Sequence, residues 1–151
     1  MAHMGIPKFR EDGWLPEGHY AASWEEAINR FGGSPGSRRE RVLRGLLDWR
    51  DRAREKGVSG WLVLNGSFIS AKEDPSDFDT IFVFDDEAQE LMENDIETKR
   101  LLDYSYCKSL VFDMLGFSAT LVREHPEWVP LDAFDRDKET GKPKGVLEVV
   151  L

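Results

Sequence analysis

The chain has 151 residues, of which 40% are apolar, and both values are typical of one globular domain that buries its core without disulfides or structural metals. Acidic residues outnumber basic ones by 29 to 20, and the net charge of -9 disfavours nucleic acid as a partner, because phosphate binding relies on basic surface. No apolar run approaches the ~20 residues of a membrane helix, and no segment resembles a secretory signal. We therefore expect a cytoplasmic protein that does not act at a membrane.

Neither the first four residues nor the single cysteine indicates a catalytic or metal site. Residues 1–4, Met-Ala-His-Met, resemble an expression scar ahead of a native start at Met4, and residues 5–151 are predicted to form a single domain. The lone cysteine, Cys107, cannot form an internal disulfide, and no Cys/His spacing resembles a zinc site. We predict that Cys107 is a buried structural thiol.

The N-terminal third is predicted to be an arm followed by two helices. Residues 5–22 are rich in Pro and Gly and lack a period, which predicts an extended arm that packs onto the domain through Phe9, Trp14 and Tyr20. Two serine–glutamate pairs form capping boxes that predict the helix starts, Ser23 with Glu26 and Ser37 with Glu40. The helices span 24–31 and 38–56, and the second buries one face, with Val42, Leu43, Leu46 and Leu47 at helical spacing.

The rest of the chain is predicted to alternate strands with one long helix. Apolar runs predict strands at 58–64, 78–84, 109–115 and 145–150, the last after a polar turn at 138–144. Asp85 and Asp86 are good N-caps for a helix from 87 to about 104, with Leu91, Ile96 and Leu101 facing inward. This order predicts an α/β (α+β) fold, a mixed sheet with helices packed mainly on one face.

The segment between the first two of these strands carries the strongest functional signal. It reads L-N-G-S-F-I-S-A-K-E-D-P-S-D-F-D-T-I-F-V-F from Leu64 to Phe84. Strand residues two apart point to the same face, so Asp77 and Asp79 are predicted to present adjacent carboxylates, which suit Mg²⁺ or Mn²⁺. Gly66 allows close backbone approach to a ligand, and Ser67 offers a hydroxyl and an N–H to phosphate oxygens.

The spacing of these residues resembles the core motif of the nucleotidyltransferase superfamily. That motif is an apolar–Gly–Ser element, nine residues, and then Asp–apolar–Asp–Thr–apolar. The resemblance implies transfer of a nucleoside monophosphate from a nucleoside triphosphate, with three carboxylates holding two divalent ions. It further implies that Asp77 and Asp79 are two of those ligands and that Gly66 and Ser67 cradle the β- and γ-phosphates. The third carboxylate usually lies on a neighbouring strand, where Asp113 is the candidate. Asp85 and Asp86 are rivals that are already explained as helix caps.

A second resemblance covers nearly the whole chain. The opening I-P-K-F-R-E-D-G-W-L-P-E-G at 6–18, the G-S-F-I-S-A-K segment at 66–72 and the closing G-K-P-K-G at 141–145 look like an uncharacterised bacterial family. That family is described as nucleotidyltransferase-like, and its relatives include the small transferases of toxin–antitoxin loci. Many of these carry Gly-Ser-x-Ala-Arg-Gly, whereas Lys72 is the only nearby cation here, and Lys and Arg differ in phosphate geometry.

Each of these residues also has an ordinary structural interpretation. Residues 73–77 can be a polar turn, and Asp113 can sit on an exposed sheet edge. Lys72 either reaches the triphosphate or is a solvated loop lysine, and Lys142 and Lys144 either contact phosphate or hold a hairpin. The basic residues between Arg38 and Lys56 either face phosphate, pair with acids elsewhere or, as is commoner, form a solvated helix face.

Two histidines and two tryptophans are expected to have structural roles. His19 and His125 are expected to make local hydrogen bonds, whereas Trp61 and Trp128 are expected in the core.

Three functional hypotheses stay open on the sequence. The first is an Mg²⁺-dependent transferase that moves a nucleotide such as AMP to a protein acceptor, for example a cognate toxin. The second is a catalytically degenerate module that acts through protein interaction, as an antitoxin or defence component. The third is transfer to a small molecule, for which 151 residues leave little room.

Overall fold

A computed structural model describes residues 5–75, 79–110, 113–129 and 140–151, and within them the chain forms five strands and six α-helices. The strands are β1 (Gly18–Ala21), β2 (Gly60–Asn65), β3 (Asp79–Phe84), β4 (Asp113–Ser118) and β5 (Gly145–Val150). The helices are α1 (Trp24–Phe31), α2 (Arg38–Glu55), α3 (Asp86–Asn94), α4 (Ile96–Lys99), α5 (Tyr104–Ser109) and α6 (Ala119–Glu124). Short 3-10 turns occupy Ser67–Ile69, Arg100–Leu102 and Pro126–Trp128.

The five strands form one mixed sheet in the order β1-β5-β2-β3-β4. The central strand β2 runs antiparallel to both of its neighbours, β5 and β3. The outer pairs, β1 with β5 and β3 with β4, are parallel. The predicted α+β class with a mixed sheet is therefore confirmed.

Helices cover the two faces of this sheet unequally, as predicted. The first face packs against buried side chains of α1, α2, α3 and α5, with Phe31, Leu46 and Trp49 among the largest. Trp49 lies edge-on against Phe82 of β3, with ring centroids 5.1 Å apart, and its indole N–H donates to the Leu101 carbonyl at 3.0 Å. The second face carries a smaller cluster, on which α6 packs through Ala119 and Val122.

Local capping explains where the first two helices begin. Ser23 and Glu26 form the predicted reciprocal box at the start of α1. At α2, the Ser37 hydroxyl accepts from the Glu40 N–H, but the Ser37 N–H already donates to the Ser34 carbonyl at 3.1 Å. The Glu40 carboxylate therefore accepts from the Gly36 N–H instead, and only half of the second box forms.

The long helix predicted at 87–104 is wrong, because the chain breaks at Asp95. That residue has extended backbone angles, φ -138° and ψ 117°, and its carboxylate accepts from the Thr98 hydroxyl at 2.5 Å. Asp95 thus ends α3 and precedes α4. Leu101 is buried as predicted, but Leu91 and Ile96 are exposed, the latter by 82%.

The predictions of the N-terminal arm and of the third strand also need correction. Residues 18–21 of the predicted arm are β1, which pairs in parallel with β5, a partner more than 120 residues away. The strand predicted at 109–115 is wrong at its start, since Ser109 ends α5, which Asp103 caps through the Tyr106 N–H at 3.1 Å. The actual strand β4 begins at Asp113.

The remaining strand predictions hold, and one helix was missed. The closing strand has the predicted bounds, and the turn predicted before it lies partly outside the described residues. Helix α6, which follows β4 directly, was not predicted. None of the described helices combines the length and the apolar character needed to cross a membrane.

The predictions for isolated residues are confirmed in part. Cys107 is buried, and burial raises the pKa of its thiol to about 12, as expected for a structural residue. His19 pairs with Glu148 at 3.0 Å. Of the two tryptophans expected in the core, Trp61 is only partly buried, and Trp128 is 61% exposed and stacks on the His125 ring with centroids 3.9 Å apart.

Candidate functional site

On the second face of the sheet, apolar side chains give way to polar ones along the strands. Paired residues of β2, β3 and β4 on this face form three rows, Trp61–Val83–Phe117, Val63–Ile81–Leu115 and Asn65–Asp79–Asp113. The first two rows are apolar, and α6 packs beside them. The third, which we call the acidic row (Asn65, Asp79 and Asp113), lies where β2 ends and where β3 and β4 begin.

The register brings together two carboxylates that are 34 positions apart in sequence. Asp79 and Asp113 are direct Cα partners in the parallel pair of β3 and β4, and Asn65 is the partner of Asp79 on the other side. Neighbouring strands are about 4.8 Å apart, and paired residues point to the same face. The structure thus joins two of the three predicted carboxylates. Asp77, the third, lies outside the described residues.

The predicted Gly-Ser element directly follows the acidic row. Gly66 continues the chain from Asn65 with φ 90° and ψ -175°, a conformation that favours glycine. The next residue, Ser67, opens a 3-10 turn and uses its carbonyl to accept from the N–H and hydroxyl of Ser70. Among the described residues, neither the Ser67 hydroxyl nor its backbone N–H has a hydrogen-bond partner.

Arg39 of α2 holds this loop in place, a role that the sequence did not reveal. Its guanidinium donates to the carbonyls of Phe68 at 2.5 Å, Ser70 at 2.7 Å and Lys72, and also to that of Phe31. Burial lowers the pKa of Arg39, yet the group stays charged, since an arginine is effectively always protonated. The prediction of a solvated basic face on α2 is therefore wrong for this residue.

The N-terminal segment forms one wall of a groove beside the same loop. The Ala71 N–H donates to the Gly13 carbonyl at 2.8 Å, which ties the segment to the loop. The groove of about 450 Å³ is lined by residues 11–14 together with Ser67, Ser70, Ala71 and Lys72. Lys72 is exposed, and its backbone rather than its amine makes the contacts seen among the described residues.

The basic residues of the closing G-K-P-K-G segment differ from each other. Lys144 is 5% exposed, and its ammonium lies over the Trp14 ring, 3.9 Å from the centroid. Lys142 is exposed, and its N–H donates to the Thr140 hydroxyl. For Lys144, the contact with Trp14 therefore favours a structural role over contact with phosphate.

Lys108 is the second functional candidate that sequence reasoning missed. It lies in the last turn of α5, and its ammonium is 2.9 Å from the Asp113 carboxylate. Each of the two side chains is 39% exposed. The only sequence signal was a lysine five residues before Asp113, which has no meaning until α5 and β4 are known to meet.

The charges of the acidic row match a cation. Two carboxylates and one amide oxygen are hard donors of the kind that Mg²⁺ and Mn²⁺ prefer, and the bound ammonium of Lys108 shows that the Asp113 carboxylate attracts a cation. The part of the chain that the structure describes brings no three His, Cys, Asp or Glu side chains together around one point. Besides these residues, a bound ion would take water, ligand oxygens or the predicted ligand Asp77.

The acids at the far end of β3 are explained without a ligand. Asp85 caps α3 by accepting from the Ala88 N–H at 2.8 Å, as predicted. Asp86 accepts from the Thr120 hydroxyl at 2.9 Å and so joins α3 to α6.

The described part of the chain is a mixed α+β sheet with an acidic pair beside a Gly-Ser loop, and a fold alone names no reaction. The chain belongs to DUF6932, a family of unknown function, whose model matches residues 7–150. No curated protein and no solved structure matches the chain.

Proposed function

We propose that this protein is an Mg²⁺-dependent nucleotidyltransferase that moves a nucleoside monophosphate such as AMP from a nucleoside triphosphate to a protein acceptor. The observation that carries the proposal is the register of the acidic row. It puts Asp79 between Asn65 and Asp113 on one face of the sheet, and Gly66 and Ser67 directly follow Asn65 in the chain. Carboxylates for a cation and hydrogen-bond donors for phosphate thus meet at one end of the sheet.

The residues divide the work by their chemistry. Asp79 and Asp113, with Asp77 as the third predicted ligand, would hold Mg²⁺ or Mn²⁺, and the bound ion supplies charge stabilisation for the entering and leaving oxygens of an in-line displacement. The N–H and hydroxyl of Ser67 donate to phosphate oxygens. Lys72 adds a positive charge at the rim of the groove.

Charge favours a protein acceptor over nucleic acid. The net charge of -9 opposes a polyanionic acceptor, and the groove wall includes the carboxylates of Glu11 and Asp12. The Asp12 pKa is lowered, chiefly by its hydrogen bond with Arg10, so this carboxylate is ionised at neutral pH. A basic surface on a partner such as a cognate toxin fits these features. A nucleotide substrate and a free thiol at Cys107 both fit a cytoplasmic location.

A second candidate function is a non-catalytic interaction module of the same fold. It is favoured by the ion pair between Lys108 and Asp113, which already neutralises one carboxylate of the acidic row. Lys72, in place of the arginine of the resembled antitoxin-type members, points the same way. This module would act as an antitoxin or defence component without using Asp79 and Asp113 as ligands.

Calorimetry with ATP, GTP, CTP and UTP in the presence and absence of Mg²⁺ tests the site. We expect Mg²⁺-dependent binding of at least one nucleotide by wild type, and its loss in Asp79→Asn and Asp113→Asn. Asp51→Asn makes the same chemical change on the exposed side of α2 and should bind as wild type does. Binding that survives in both site variants would contradict the proposal.

Label transfer separates the two candidate functions. The bound nucleotide is supplied with ³²P at the α-position and, in parallel, at the γ-position, together with proteins encoded beside the gene. A transferase labels an acceptor from the α-label alone, and Asp79→Asn abolishes the labelling. Nucleotide binding without any α-label transfer favours the interaction module.

A further inference from the structure

We propose that Lys108 is a built-in competitor for the cation site, whose ammonium must leave Asp113 before a divalent ion can bind there. The inference rests on the proposed function, because it takes Asp79 and Asp113 as the ligands. Lys108 would set the concentration of divalent cation at which the site fills.

The position of Lys108 follows from the fold. Helix α5 ends at Ser109, and β4 begins at Asp113, so the lysine stands at the helix end that leads into the acidic row. Its ammonium is 2.9 Å from Oδ1 of Asp113, a distance typical of a charge-assisted hydrogen bond. Asp79 is the next residue along the row, so the same positive charge also acts on the second carboxylate.

A divalent ion and an ammonium compete for the same carboxylate. Both need the lone pairs of the Asp113 carboxylate, and two cations held side by side repel each other. A lysine is well suited to yield, because its charge is a compact ammonium on a flexible four-carbon stem. Both side chains are partly exposed, so water replaces their contact at little cost when the ammonium moves away.

The net effect on affinity can be bounded. Breaking an exposed ion pair lowers the affinity of a competing ion about two- to fivefold, and the remaining repulsion between the two cations adds to this. Removing the ammonium should therefore tighten divalent cation binding by about fivefold or more. A lysine that only holds α5 against β4 would show no such gain.

Binding of Mn²⁺ alone, followed by the electron paramagnetic resonance signal of the free ion, measures this effect without any enzymatic turnover. We expect Lys108→Met to bind Mn²⁺ more tightly than wild type. Lys108→Arg keeps the positive charge and should stay close to wild type. Lys8→Met removes the same charge from an exposed position in the N-terminal segment and should change little.

Thermal unfolding supplies an independent readout from the same samples. Without the ammonium, the two carboxylates of the acidic row repel each other, so Mn²⁺ should raise the unfolding temperature of Lys108→Met more than that of wild type. If Lys108→Met does not fold, Lys108→Gln keeps a polar side chain and removes the charge. Circular dichroism establishes the fold of each variant before the titrations.

The outcomes separate the two proposals. Tighter binding in Lys108→Met, with wild-type affinity in Lys108→Arg and Lys8→Met, supports the competitor role. Equal or weaker binding in Lys108→Met, while wild type binds Mn²⁺, overturns that role and leaves the metal site intact. Absence of Mn²⁺ binding from wild type and from every Lys108 variant overturns both.

Discussion

The sheet face that packs against α2 is largely apolar along its strands, whereas the opposite face passes from two apolar rows to the acidic row. Strand β3 serves both faces, because Phe82 and Phe84 point to the first and Ile81 and Val83 to the second. The break in the pattern comes at Asp79, the first residue of β3. Stability is thus expected to depend on the first face, and ligand binding on one end of the second.

The largest expected effect is a loss of stability on the first face. Trp49→Ala removes a fully buried indole that contacts Phe82, and it should lower the free energy of unfolding by about 3–5 kcal/mol. Denaturant unfolding followed by far-ultraviolet circular dichroism measures the change. Trp128→Ala removes an exposed indole and should stay within about 0.5 kcal/mol of wild type. Similar losses of stability in the two variants would contradict the assignment of stability to the first face.

A smaller loss is expected at the clamp that joins the first face to the Gly-Ser loop. Arg39→Met leaves the carbonyls of Phe68 and Ser70 without their donor and should cost about 2 kcal/mol of stability. It should also weaken nucleotide binding, because the loop that carries Ser67 loses its support. Arg38→Met, which changes an exposed neighbour, is the control for both unfolding and calorimetry. An Arg39→Met protein with wild-type stability and affinity would refute the clamp.

Glycine substitutions separate backbone strain from ligand binding. Gly66→Ala and Gly36→Ala each put a side chain at positive φ, 90° and 80°, and each should cost about 1–2 kcal/mol of stability. Gly66→Ala alone should weaken nucleotide binding, since Gly36 lies in the loop before α2 with open space around it. Unfolding and calorimetry measure both effects. Equal losses of nucleotide affinity in the two variants would contradict a specific role of Gly66 in binding.

The smallest expected effect on stability occurs within the acidic row. Asp113→Asn breaks a half-exposed ion pair with Lys108, so unfolding should change by no more than about 1 kcal/mol. The same variant should lose most of its Mn²⁺ affinity, because an amide oxygen is a poorer ligand than a carboxylate. Unfolding curves and Mn²⁺ titrations on one sample test both statements. A large stability loss with intact Mn²⁺ binding would assign Asp113 to structure.

The sequence predicted the parts of the site whose signals are local. The Gly-Ser element follows an apolar run, Asp79 opens another, and the acid at Asp113 stands in an otherwise apolar segment. Strand alternation nominated Asp79, and the backbone freedom of glycine and the donors of serine nominated the Gly-Ser element. The resemblance to nucleotidyltransferases nominated Asp113. Their meeting in one row depends on the sheet register, which the structure supplies for Asp79 and Asp113.

The features that the sequence could not predict depend on distant partners. The carbonyls that Arg39 binds lie about 30 residues along the chain, so nothing near it distinguishes this arginine from its solvated neighbours. Strand β1 exists because β5 offers it an edge. The break at Asp95 comes from a side chain bonding to Thr98, which competes with helix formation over a stretch that is otherwise helical.

Diffraction from crystals soaked in Mn²⁺, with anomalous difference maps, tests the central claim most directly. The account predicts a single strong peak between the carboxylates of Asp79 and Asp113, with the Lys108 ammonium moved away from Asp113. The peak should disappear in Asp113→Asn crystals soaked in the same way. Maps without a peak at the acidic row under saturating Mn²⁺ would contradict the account, and so would a peak that Asp113→Asn leaves unchanged.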